Sequence, residues 1–327
     1  MKLEKIAEII GATAEGDDLQ RELFRATAYA DDTEEGDLCF VPDAAAAAVA
    51  IGRGAAAVVC DREVEVEKSD ACVLLRVDDA GLAAMRLAGY IRDDASATCW
   101  LLGEKEMSFL RMILKDKRNV AFLSDDWQRA FTQLIESEKR LFVGSDAALF
   151  SGLRPKQGAF SAKAPGHVVS ADSLFRTTFK IGKYIYQYKQ MVHFHLPVLQ
   201  RAVAFCEAHE LAYDIDRIGY TRHFMPIFFE GEPSVQQVMT NDRVVILSDN
   251  LEDILEAKSY ASNVGSWMAK TRVAVPPKTK VEGVKYPTIY HSGEELIALA
   301  GSLSYNYLFV YTEEGAVAEE VAAALAA

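Results

Sequence analysis

The sequence predicts an α/β protein in three parts: a small N-terminal domain over residues 1–94, an abridged central domain over 95–239, and a C-terminal domain over 240–327. Three observations carry this expectation. Short apolar runs of strand length alternate with amphipathic helical stretches, the βαβ pattern that builds parallel sheets. The pattern restarts near Ala95 and again at Val244. The 327 residues also suffice for two or three cores, at roughly 100–150 residues each.

Taken in order, Leu3, Ile6, Ile9 and Ile10 have helical spacing, and Gly11 stops that helix. An acidic turn over 31–37 leads to a short strand, Leu38–Pro42, closed by its proline. Ala44–Ile51 reads as a helix and Ala55–Cys60 as a buried strand. Val73–Val77 is a further strand, and Asp78 and Asp79 can cap a helix over Gly81–Ile91. In the central part, strands are expected at Cys99–Leu102, Val120–Leu123 and Leu141–Val143. Helices fall between them, at about 105–114 and 128–135. Phe175–Ile181 and Tyr184–Tyr188 alternate at period two around Gly182-Lys183, which predicts a β-hairpin. Leu196–His209 returns to helical spacing. The last part reads as strand Val244–Leu247, helix Leu251–Tyr260, strand Arg272–Val275, helix Glu294–Ala300, strand Tyr307–Tyr311 and helix Ala316–Ala326.

Composition narrows the function classes. Lys plus Arg number 35 and Asp plus Glu 48, a net charge of −13. Nucleic-acid affinity rests on the phosphate backbone, so so acidic a chain is a poor general nucleic-acid binder. No run of about 18 apolar residues offers a membrane span, and the charged Met1–Ile6 lacks the apolar core of a secretory signal. The five cysteines are widely spaced and form no CxxC pair, so they read as buried, reduced thiols of a cytoplasmic protein rather than a metal or disulfide framework.

Four features could carry chemistry. The segment Leu102–Ser108 stands where a phosphate loop would stand, with Gly103 and Lys105 as nucleotide-binding candidates. Glu104 and Glu106 flank that lysine and would repel a polyanion, so a plain strand-to-helix turn is the alternative. Asp249 and Asn250 lie at the carboxyl end of a strand, where open α/β sheets bind ligands, or else cap the helix that follows. Between Gly144 and Phe205, eight cations stand against two acids. Within this basic island Lys180, Lys183, Tyr184, Tyr186 and Tyr188 could attract an anionic ligand or a protein partner, with the three tyrosines on one strand face, or form a solvated hairpin. His193 and His195, also candidates for contact with an anionic ligand or partner, are two apart and would share a face if they lay on a strand; as a metal pair they lack an obvious third ligand nearby, with Cys206 and His209 on the following helix. GxSxG, HExxH and GxGxxG motifs are all absent from the sequence.

The ordered set of these segments resembles the Mur ligase family. Glu35-Gly36-Asp37-Leu38-Cys39-Phe40-Val41, followed by Gly54–Val59, looks like the family's "pGDLFvA … GAxAVV" stretch. Val77-Asp78-Asp79 with Leu82–Ile91 and Arg92 looks like its lead into the ATPase domain. Val192–Leu196 resembles the "HN-x-x-N" segment, Asp214–Ile218 the helix after it, and Ile246–Asn250 with Ile254–Ala257 the opening of the C-terminal domain. The resemblance implies a three-domain architecture with a P-loop-like central domain and a Rossmann-like C-terminal domain. It also implies ATP- and Mg²⁺-dependent ligation of an amino acid to a peptidoglycan precursor.

The departures cluster on that reaction path. The chain is shorter than the family's members, which run to about 450 residues, and the shortfall is central. Of the TGxNGKT loop only Gly103 and Lys105 remain. Tyr29-Ala30-Asp31-Asp32 replaces the DSR tripeptide that engages the uridine nucleotide. The arginine expected near Gly231-Glu232 is missing, and Lys163 is a thin match to the family's modified lysine. Acyl-phosphate chemistry needs a phosphate cradle, a metal and cations on the phosphoryl group. The expectation is therefore a catalytically degenerate Mur ligase-like protein that acts as a binding or regulatory partner of cell-wall synthesis, its partner a cell-wall precursor or a cell-wall synthesis protein. Two alternatives stay open. One is an active ATP-dependent UDP-N-acetylmuramoyl-peptide ligase, the only reading that calls for ATP and Mg²⁺. The other is a protein-interaction module built on the basic, tyrosine-rich hairpin.

Overall fold

A computed structural model describes residues 1–16, 18–67, 69–156, 160, 165–171, 173–229, 243–265, 270–313 and 321–325. They form two compact units, the first from residues 1–107 and 116–159, the second from 108–115 and 160–327.

Unit one opens with α1 (Leu3–Ile10), which buries Leu3, Ile6 and Ile10 and ends where Gly11 turns left-handed at φ 71°. Strands β1 (Thr13–Glu15), β2 (Ala26–Thr27) and β3 (Leu38–Phe40) follow, then α2 (Ala44–Gly52), β4 (Ala57–Asp61), β5 (Val73–Val77) and α3 (Ala80–Asp94). The strands make one sheet in the order β1-β5-β4-β3-β2, parallel apart from β1. Successive residues serve opposite faces, and both faces are covered. Leu38, Phe40, Ala57, Val59 and Leu75 join one apolar cluster, while Cys39, Val58, Cys60 and Leu74 join another. Asp79 caps α3 as the sequence suggests, accepting from the Leu82 N–H at 2.8 Å, and Asp43 caps α2 in the same way, accepting from the Ala46 N–H at 2.8 Å. Asp78 instead pairs with Arg62.

The same unit continues through β6 (Thr98–Leu101), α4 (Glu104–Ile113), β7 (Val120–Phe122), α5 (Trp127–Glu136), β8 (Leu141–Gly144) and α6 (Ala147–Ser151), with a parallel sheet in the order β6-β8-β7. The chain of α4 runs on into unit two. Helices α3 and α5 approach closely at Gly81, where an added Cβ would lie 2.9 Å from the Trp127 ring. Arg92 donates from Nη2 to the Ile135 carbonyl at 2.8 Å and from Nε to the Leu134 carbonyl, so a cation satisfies the open end of α5.

Unit two contains an antiparallel sheet, β11-β10-β9, from β9 (Gly166–Ala171), β10 (Arg176–Ile181) and β11 (Tyr184–Gln190). After α7 (Leu196–Ala208) come β12 (Met225–Phe228), β13 (Val244–Ser248), α8 (Leu251–Tyr260), β14 (Thr271–Val275), β15 (Thr288–Ile289), α9 (Gly293–Ser302) and β16 (Tyr307–Tyr311). The second sheet runs β12-β13-β16-β14-β15, with only its edge strand β12 antiparallel. Val244, Ile246, Val273, Val275 and Phe309 face Ile254 and Ala257 of α8. Val245, Leu247, Ala274, Leu308 and Val310 face Leu296 and Ala300 of α9. A helix on each face of a mostly parallel sheet is the three-layer solution such strands require. Of the helix expected over 316–326, only residues 321–325 are described, and they are helical.

All five cysteines are buried and free. Burial pushes the thiols of Cys39, Cys72 and Cys99 up to about 11 and that of Cys206 to about 12. Among the described residues, no helix is long and apolar enough to cross a membrane.

Candidate functional site

The first expected site is the start of α4. Gly103 precedes the helix, and its N–H donates to Oε2 of Glu106 at 3.1 Å. This is the backward half of a capping box, in which the third helical residue satisfies the free amide before the first. Glu104 and Glu106 both occupy the first turn, so the positive end of the helix is already matched by carboxylates. Nothing about Gly103 calls for a glycine. A Cβ there would come no nearer than 3.8 Å to the Glu106 carboxyl. A phosphate cradle needs the opposite, amides left open and a backbone that only glycine allows. At Gly103 the amide is engaged by Glu106, and two carboxylates share the first turn of the helix that carries Lys105. Lys163 and Gly231-Glu232 lie outside the described residues.

The second expected site, the end of β13, is richer than the sequence suggests. Asn250 is the helix cap, accepting from the N–H groups of Glu252 and Asp253 at 2.8 and 3.1 Å. Asp249 is thereby left for another role. Its Oδ2 lies 2.6 Å from Nδ1 of His223, and Nε2 of the same ring lies 3.0 Å from Oγ of Ser108 in α4. Strand register explains the first contact. Met225 pairs with Leu247 in the antiparallel β12–β13 ladder, so two residues further out His223 stands opposite Asp249. The Ser248 hydroxyl donates to the His223 carbonyl at 2.7 Å and fixes the backbone that carries the ring. His223 is 1 % exposed, whereas Ser108 and Asp249 are half-buried. His223 is missed by sequence reading, and Ser108 appears there only as the end of the supposed loop.

One turn along α8, Asp253 holds a second imidazole. His195 Nε2 lies 2.8 Å from Asp253 Oδ2, with both side chains buried. Phe109, Phe194 and Phe224 present edges to the His195 ring. His193 and His195 do not share a strand face as expected. They occupy a 3₁₀ turn, because Pro197 starts α7 directly after them. His193 packs on Tyr260 with ring centroids 4.8 Å apart, and burial, followed by the neighbouring His195, pulls its pKa down.

The hairpin forms as expected, but its tyrosines do not line one face. A bulge opposite Thr178 places Tyr188 at φ 53° and breaks the alternation. Tyr186 stacks on Phe179 at 5.4 Å, while Tyr184 and Tyr188 stay 59 % and 52 % exposed. Lys183 lies over the Tyr184 ring at 5.2 Å, and Lys189 is paired with Asp216. Lys180 is half-buried. A feature with no sequence signal is a cleft of about 630 Å³ in unit one, lined by Lys5, Glu8, Arg86, Tyr90, Asp93 and Arg154. Its mixed charges suit a small polar ligand rather than an apolar one.

No protein family profile and no curated protein matches the chain. Solved structures do. A MurF ligase from Thermotoga maritima in complex with ADP aligns over 92 % of this chain and 96 % of its own, with a TM-score of 0.55 and 12 % identity. A MurF from Acinetobacter baumannii aligns over 99 % and 98 %, with a TM-score of 0.54 and 10 % identity. At such identity the likeness is one of architecture: the chain has a Mur ligase-like α/β fold from end to end.

Proposed function

We propose that this chain is a Mur ligase-like protein of peptidoglycan-precursor metabolism that binds its ligand or partner without ATP-dependent ligation. The fold supports the first half of this reading. One solved neighbour is a UDP-N-acetylmuramoylalanyl-D-glutamyl-2,6-diaminopimelate–D-alanyl-D-alanyl ligase, and a muramoyl-peptide nucleotide is the matching ligand class here. The observation that carries the second half is the Gly103 amide, held by the Glu106 carboxylate. A triphosphate arriving at α4 would have to displace that carboxylate and lie beside Glu104. Like charges at such range repel by several kcal/mol once partly desolvated, on the order of 332/εr with ε about 20.

Calorimetric titration of the purified chain with ATP, with and without Mg²⁺, tests the reading. No heat of binding is expected up to millimolar ATP. Micromolar affinity would overturn it and return the chain to the active ligases.

A second reading has its own observation. Tyr184, Ile185 and Tyr188 are all more than half exposed beside Lys183. Aromatic and aliphatic groups with a cation at their rim suit a protein partner of acidic surface.

A further inference from the structure

We propose that Ser108, His223 and Asp249 form a nucleophilic acyl-transfer site that acts on carboxylic esters. All three residues belong to unit two. The atom pattern is specific. A carboxylate oxygen faces Nδ1 of the imidazole at 2.6 Å, and a serine hydroxyl faces Nε2 at 3.0 Å. This is the order of contacts by which a carboxylate holds a histidine in the tautomer that can take a serine proton.

Competing structural duties are assigned to other groups. The cap of α8 is Asn250, not Asp249. Ser108 stands in the second turn of α4, past the capping positions. The His223 backbone is held by Ser248, so its ring nitrogens are left to Ser108 and Asp249. The ring itself is buried, while the hydroxyl end of the relay is half-exposed. That is the arrangement a nucleophile needs, a fixed base behind an approachable oxygen.

The reaction balances without a cofactor. Ser108 Oγ attacks the ester carbonyl carbon as its proton passes to His223 Nε2, and the carbonyl π pair moves onto oxygen. When that pair returns, the bond to the alkoxy oxygen breaks and the alcohol leaves with the proton from Nε2, giving acyl-Ser108. Water repeats the cycle with the same base and releases the carboxylic acid. Asp249 is a positioning residue, since it acts only through His223.

The inference does not rest on the nucleotide reading, because the ATP titration and the test below probe different atoms. The full chain is treated with an alkyl fluorophosphonate, in which Ser108 Oγ bonds to phosphorus as fluoride leaves. The product is mapped by peptide mass. A single adduct on Ser108 is expected, together with acylation of the same residue by p-nitrophenyl acetate. Ser108→Ala should give none, and His223→Ala should slow labelling by roughly a hundredfold, the scale of a lost general base. Asp249→Asn should lower the maximal labelling rate while the half-saturating probe concentration and the melting temperature stay unchanged. Peptide mapping of the unaltered chain needs no variant to fold. Absence of a Ser108 adduct, adducts confined to other residues, or unchanged labelling in folded His223→Ala would each overturn the assignment.

Discussion

Replacing His195 by phenylalanine should remove a buried hydrogen bond from the Asp253 carboxylate. Asp253 is 7 % exposed and His195 3 % exposed, and their contact is 2.8 Å. The substituted ring has a cage to enter, since Phe109, Phe194 and Phe224 already surround the imidazole edge-on. Packing is therefore nearly conserved, and the loss isolates the polar contact. Removing one partner of a buried, hydrogen-bonded pair costs about 3–5 kcal/mol, because a contact that offsets the remaining group's desolvation is lost. The position of Asp253 in the first turn of α8 offsets part of this through the helix dipole, by about 0.3–1 kcal/mol. The net expectation is about 2–4 kcal/mol. Two compact units make a single global transition unsafe. Hydrogen exchange of the α8 amides is therefore the assay, read beside urea unfolding. Asp253→Asn retains an acceptor for the imidazole N–H and should cost only about 1 kcal/mol. The double variant His195→Phe/Asp253→Leu should recover most of the loss. If His195→Phe left α8 exchange within about 0.5 kcal/mol of the parent, less than an ordinary hydrogen bond, the pair would not be holding this helix.

Other outcomes follow from single positions. Glu106→Ala should lower stability by about 0.5–1 kcal/mol, the worth of a lost cap, without creating an ATP site, as thermal melting and calorimetry would show. Gly144→Ala would drive a Cβ into the Phe150 ring, and overpacking of that kind should cost about 1–3 kcal/mol in melting experiments. Tyr188→Gly should be neutral or stabilising by up to about 1 kcal/mol, since it relieves a left-handed backbone at a half-exposed site. Alkali should destabilise the chain. Thiols with ordinary values near 9 in the unfolded chain are held at about 11 in Cys39, Cys72 and Cys99 when folded. Rising pH thus strips protons from the unfolded form first, and stability present below pH 9 is lost progressively toward about pH 11. Urea midpoints across that range measure the slope, and Cys39→Ala should flatten it.

Much of the fold is legible in the residues, for reasons that differ by element. Leu251–Tyr260 is readable from its cap and its one buried helical face, and Tyr307–Tyr311 as a short continuous apolar run that is buried on both faces. The hairpin is readable from its turn, but the bulge at Tyr188 is not, since an extra residue in a strand leaves no signature in composition. The least legible element matters most. Strand β12 is four residues long and contains Pro226, which argues against a strand unless the strand lies at a sheet edge. It does lie at the edge, paired only with β13 among the described strands. Without β12 there is no ladder to continue, and nothing in the sequence brings His223 to Asp249, which stand 26 residues apart.

Two helix starts in this fold divide their polar groups between capping and other contacts. At α4 the amide that a phosphate would use is satisfied by Glu106 from the helix's own first turn. One turn later the same helix presents Ser108 to a buried imidazole. At the end of β13 the two functions of a strand-to-helix junction are split between neighbours, with Asn250 capping and Asp249 orienting His223. A cap can be filled by several residue types at little cost, whereas a carboxylate, an imidazole and a hydroxyl in relay must each be supplied and aligned. Local helix stability explains Glu106 and Asn250 fully. It does not explain why Asp249, already relieved of capping, should face Nδ1 of a ring whose other nitrogen faces a hydroxyl. Labelling of Ser108 decides whether that alignment is chemistry or packing.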